Sequence, residues 1–75
     1  MKSNYQIDRR SGNGELDRYD IVRAHSLNAA LRDYFGTDYN DNSYTESRVN
    51  GKKVITARCP EETSNYWEAF KITEQ

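Results

Sequence analysis

The chain reads as an α+β domain of order ββαβββ, one helix packed on an antiparallel sheet, and three local signals predict it. The first is the stretch 19–36, where a strand runs directly into a short helix marked at both ends. Ser26 can accept a bond from an unpaired first-turn amide, and Gly36 can take the conformation that ends a helix. Between them Leu27, Ala30, Leu31 and Tyr34 fall at i, i+3, i+4 and i+7, which is one apolar stripe. The second signal is Asn50-Gly51, the preferred pair for a two-residue type I′ hairpin, because both positions need positive φ. The third is the turn-forming run Ser11-Gly12-Asn13-Gly14 between two alternating segments.

Taken in order, Tyr5 and Ile7 alternate with Gln6 and Asp8, giving a first strand over about residues 3–10. A second strand covers about Glu15 to Ala24. It is apolar on both sides, with Tyr19 and Ile21 on one and Val22 and Ala24 on the other. Val22 and Ala24 are assigned inward, since the chain must leave toward Ser26 on that side. A β-bulge is the alternative that would reconcile both pairs. After the helix, Thr37 to Asn42 is polar and turn-rich and reads as a loop.

Tyr44 to Val49 forms a third strand. The Asn50-Gly51 turn then sets the register, with Val49 facing Lys52, Arg48 facing Lys53, Glu46 facing Ile55 and Tyr44 facing Ala57. Tyr44, Ile55, Ala57 and Cys59 thereby share the buried face. Pro60 ends the fourth strand because it cannot donate to a ladder, and Glu61 to Asn65 connects onward. In the last strand, Tyr66 to Ile72, Phe70 and Ile72 are taken as the core pair, which turns Trp67 and Ala69 outward.

At 75 residues, with 35% of them apolar, the chain is expected to be one small domain over 1–75 with a thin core. Its six tyrosines supply much of that core as rings whose hydroxyls stay wet. The formal net charge of −1 gives no overall field toward nucleic acid or membrane. The single Cys59 excludes an internal disulfide framework and a cysteine-based zinc site, and the lack of disulfides favours a reducing, cytoplasmic setting. No stretch is apolar enough for a signal peptide or a membrane span.

Catalytic constellations are absent from the local sequence. His25 is the only histidine and stands beside the helix cap; Cys59 could meet it only through folding, and nothing local in the sequence supports that pairing. Asp38-x-Asn40-x-Asn42 opens like a calcium loop, but Ser43 replaces the glycine of the sharp turn and Val49 the bidentate glutamate. No cofactor, metal or enzymatic activity is expected.

Charge is unevenly spread. Residues 37–47 carry Asp38, Asp41 and Glu46 and no base, whereas 48–58 carry Arg48, Lys52, Lys53 and Arg58 and no acid. Pairing Arg48 against Lys53 costs a few tenths of a kcal/mol, on the order of 0.2–1 for cross-strand pairs generally. That either protects a strand edge or meets an anionic partner. Tyr39 beside the hairpin and a half-exposed Trp67 would complete a contact surface. The candidate partner-binding residues are therefore Arg48, Lys52, Lys53, Arg58, Tyr39 and Trp67.

The stretch Ile21-Val22-Arg23-Ala24-His25-Ser26-Leu27-Asn28-Ala29-Ala30 resembles the strand-to-helix entry of small phage-encoded anti-CRISPR proteins, type I effector inhibitors in particular. In residues the similarity covers Tyr5, Ile7 and 22–31; in element order it covers the chain. The acidic segment 37–47 departs from that family in length and charge. The resemblance implies a non-enzymatic inhibitor in the bacterial host cytoplasm that binds a CRISPR effector complex and blocks target-DNA recognition, with Arg48, Lys52, Lys53 and Arg58 offered as the basic contacts. The alternative is a small nucleic-acid-binding accessory domain that uses the basic hairpin.

Overall fold

The computed structural model describes residues 2–58 and 64–72. Strand β1 (Ser3–Arg10) returns antiparallel as β2 (Leu16–Ala24). The turn between them closes by hydrogen bonds from Gly14 N–H to Ser11 O and from Ser11 N–H to Glu15 O, both 2.9 Å. Asn13 Oδ1 holds it from inside, accepting from the Ser11 hydroxyl and, at 3.3 Å, from Glu15 N–H. The register slips between Arg9 and Arg10, so that Asp17 is the extra residue of a β-bulge.

The bulge leaves the two sides of β2 as they were assigned. Val22 packs against the core and Ala24 is buried, while Tyr19 and Ile21 stand about half exposed.

Helix α1 (Leu27–Phe35) has the ends its residues predict. Ser26 is extended, and its Oγ accepts from Ala29 N–H at 3.1 Å. Gly36 sits at φ 59° and returns its N–H to Arg32 O, a conformation that resists a Cβ. Leu27, Ala30 and Leu31 are buried and Tyr34 is half-buried, as the stripe requires.

The expected loop 37–42 is instead wound into a six-residue 3-10 turn, Gly36–Asp41. Side chains of its C-cap residue Asn42 and of Tyr44 in the next strand tie it down. Tyr44 Oη donates to Tyr39 O at 2.9 Å, and Asn42 Nδ2 donates to Asp38 O at 3.2 Å. The Tyr39 and Tyr44 rings lie 4.9 Å apart. Ring packing thus shapes a segment whose own composition is that of a loop.

Strands β3 (Ser43–Val49) and β4 (Lys52–Arg58) form the predicted hairpin. Asn50 and Gly51 stand at φ 55° and 79°, and every predicted cross-strand pair is present. Ile55 and Ala57 are buried and Tyr44 is half-buried on one face. The expectations for Cys59, Pro60, Glu61 and Glu62 lie outside the described residues.

Strand β5 (Tyr66–Lys71) is last in sequence but central in the sheet, whose order is β2-β1-β5-β4-β3 with every described neighbour pair antiparallel. It also corrects the expected facing. Trp67 and Ala69 are buried against α1, whereas Phe70 is half-buried on the opposite side and does not form a core pair with Ile72.

The reason is volume. Ala24, Ala30, Ala57 and Ala69 are all buried, so small side chains let the helix approach the sheet while Ile7 and Leu31 fill the centre. A phenylalanine at the middle of β5 would hold the helix off. The wide Trp67 lies at the rim, edge-on to Phe35 at 5.4 Å. Phe35 is in turn edge-on to Tyr34 at 5.2 Å.

Candidate binding surface

The helix covers one side of the sheet, and strand alternation sends every second side chain to the other. In register across that second side lie Ile21, Gln6, Phe70 and Val54, and beside them Tyr19, Asp8, Glu68 and Thr56. No described helix covers this face.

Its centre is polar and tightly connected. Asp8 is 2% exposed. It accepts from Gln6 Nε2 at 2.7 Å and from an Arg10 terminal nitrogen at 3.2 Å. Arg10 also donates to Gly14 O at 2.9 Å, and its Nε stands 2.7 Å from Glu68 Oε1. That last contact is an ion pair whose N–H is poorly aligned on the oxygen. One guanidinium thereby bridges two carboxylates and fixes the β1–β2 turn.

The flanks of the face are apolar. On the β2 side Leu16, Tyr19 and Ile21 are each at least half exposed. On the hairpin side a shallow groove of about 360 Å³ is lined by Val49, Asn50, Lys52, Val54, Glu68 and Phe70. Two cations lie over rings of the central strand. Lys52 Nζ is 5.1 Å from the Phe70 ring centre, and the Arg58 guanidinium is 5.0 Å from that of Tyr66. Among the described residues neither is paired with a carboxylate.

The six residues singled out from the sequence do not form one surface. Lys52 and Arg58 belong to this bare face, but Arg48 and Lys53 point to the helix side, because side chains alternate along β3 and β4. The like-charge pair is relieved there. Lys53 Nζ reaches Glu46 Oε1 at 3.4 Å, and Arg48 donates to Gly51 O at 3.3 Å.

Tyr39 lies on the 3-10 turn, half-buried, with its ring against Tyr44 and beneath the Arg32 guanidinium at 5.1 Å. Trp67, expected to be half-exposed, is 9% exposed and belongs to the core, so it is no free anchor. The single basic patch over 48–58 is therefore replaced by two separate pairs of cations.

Tyr19, Ile21, Tyr66 and Phe70 are what the sequence reading missed. The available signal was that β2 is apolar on both sides, Tyr19 and Ile21 on one and Val22 and Ala24 on the other.

On the helix side, a second cleft of about 470 Å³ opens between the start of α1 and the hairpin, lined by Tyr5, His25, Ser26, Leu27, Lys52, Lys53 and Lys71. Two phenols have raised pKa values, both chiefly through burial. Tyr34 is further raised by its 2.7 Å hydrogen bond to Asp20, and Tyr44 by the nearby Tyr39. Among the described residues no group of three or more His, Cys, Asp or Glu is placed to hold a metal ion, and no helix is long and apolar enough to cross a membrane.

No protein-family model, curated protein or solved structure matches the chain.

Proposed function

We propose that this chain is a non-enzymatic inhibitor acting by stoichiometric binding in the host cytoplasm, with the bare sheet face as its contact surface and a CRISPR effector complex as its target. The observation that carries the binding role is that face: half-exposed Tyr19 and Ile21 beside an internally bonded polar centre, with Lys52 and Arg58 offered outward. Apolar anchors with cations at their edge suit a protein surface that carries acidic groups. The choice of target rests on the strand-to-helix junction at 21–30 and its resemblance to anti-CRISPR proteins.

The test is inhibition of target-DNA binding by purified type I effector complexes. A stoichiometric excess of the protein is expected to abolish the shifted DNA band. Tyr19→Glu and Lys52→Glu are expected to weaken that inhibition at least tenfold while the far-UV spectrum stays native, because exposed substitutions shift stability by only about 0.5 kcal/mol. Arg48→Glu, on the helix side, is expected to retain it. Full inhibition by both bare-face variants would remove this surface, and no inhibition of any effector tested would remove the target.

A second reading is favoured by the Lys52–Phe70 and Arg58–Tyr66 pairs, since rings on a sheet with adjacent cations can stack bases and hold phosphates. It requires binding of a free single-stranded oligonucleotide with a steep salt dependence.

A further inference from the structure

We propose that β2 pairs antiparallel with β2 of a second copy of this chain, centred on Tyr19, to make a ten-stranded sheet across a twofold axis. Strand β2 is an edge of the sheet, and Leu16 to Ile21 are all exposed. Among the described residues, its free backbone groups can be identified. Ile72 N–H donates to Asn4 O at 3.0 Å, so Asn4 faces β5. In an antiparallel ladder the N–H and C=O of one residue point to the same side and successive residues alternate. Tyr5, Ile7 and Arg9 therefore face β2 and bond to Val22, Asp20 and Arg18, their register partners. The intervening residues, Tyr19, Ile21 and Arg23, direct their donors and acceptors away from the sheet.

The side chains fit the same pairing. A twofold axis at Tyr19 sets Arg18 opposite Asp20 of the second copy and Asp20 opposite its Arg18. These are the close, non-hydrogen-bonded positions of the new ladder, where opposite charges attract most. Asp20 already accepts from Tyr34 through Oδ2, and Arg18 lies beside the same hydroxyl, so both charges are held at this edge. On the bare face the two exposed Tyr19 side chains would stand opposite one another, each with the other copy's Ile21 diagonal to it, and remove apolar surface from water. With the axis at Tyr19, Ile21 lies opposite the bulged Asp17 of the second copy, so the regular pairing is confined to residues 18–20 of each copy.

The other edge, β3, lacks that apolar gain. Its bare-face residues are Ser43, Thr45 and Ser47 with Val49 alone exposed and apolar, and Glu46 is already engaged by Lys53. The charges and the bulge of β2 limit indiscriminate pairing at this edge, whereas a twofold pairing at Tyr19 sets its charges in opposite-sign pairs.

Light scattering coupled to gel filtration tests this from low micromolar to millimolar protein. The expected result is a mass that doubles with concentration, at modest affinity because an edge-strand contact is smaller than a standard interface. Arg18→Asp and Asp20→Arg should each remain monomeric, since each sets like charges opposite one another. An equimolar mixture of the two should dimerise, because every contact between positions 18 and 20 across the axis then joins an acid to a base. Should either variant fail to fold, hydrogen exchange of the unmodified chain decides the question. The Tyr19 amide should gain protection as concentration rises while Val22 does not change. A monomer at every concentration, dimerising variants, a mixture that stays monomeric, or protection that ignores concentration would each overturn the pairing.

Discussion

Removing the Arg10 guanidinium should unbalance the sheet more than any exposed substitution. Arg10→Met keeps much of the side chain's length and apolar stem but deletes the contacts to Asp8, Glu68 and Gly14 O at 3.2, 2.7 and 2.9 Å. Asp8, with its side chain 3% exposed, would be left with Gln6 alone. Stranding a fully buried charge costs about 3–5 kcal/mol. Arg10 is itself 29% exposed and Glu68 32%, so water can replace part of what is lost. The missing bond to Gly14 adds about 0.5–1.5 kcal/mol.

Together these give an expected loss of about 2–4 kcal/mol. The whole stability of a domain this size is about 4–11 kcal/mol at the usual range per residue. Urea unfolding followed by the fluorescence of Trp67, buried against Phe35, reads the change directly. The double variant Asp8→Asn/Arg10→Met removes the stranded charge and should recover at least about 1 kcal/mol relative to additivity. A loss below about 0.5 kcal/mol, or strict additivity, would show that water screens the network and that Arg10 is not its hub.

Two further outcomes follow from local geometry. Tyr34→Phe should cost about 0.5–1.5 kcal/mol at neutral pH through the lost bond to Asp20. Because burial and that bond raise the Tyr34 pKa above 10.0, its contribution is complete below that value and lost as pH rises through the folded pKa. The variant should therefore show a shallower alkaline decline in thermal melts, and an unchanged alkaline limb would exclude the coupling. Gly51→Val places a β-branched residue at φ 79° and should destabilise the domain by about 1–3 kcal/mol, read as a lower urea midpoint, whereas unchanged stability would mean that the hairpin turn has another form.

The residues themselves determined whatever depends on neighbours in sequence. The Ser26 cap, the Leu27–Leu31 stripe, the Gly36 stop and the Asn50-Gly51 turn act within a few residues, so the strand and helix order and the β3–β4 register followed from them. The bare face was legible only in outline, through the two apolar sides of β2. Tertiary packing decided the rest. Tyr66, Phe70 and Ile72 alternate as convincingly as Trp67 and Ala69, and the period of a strand does not say which set faces the core. The choice came from Ala24, Ala30 and Ala57, which are distant in sequence and small enough that α1 could close over Ala69 but not over Phe70. The same choice sent Phe70 and Tyr66 to the bare face, where Lys52 and Arg58 meet them, whereas the split of the basic hairpin between the two sides was already contained in the Asn50-Gly51 register.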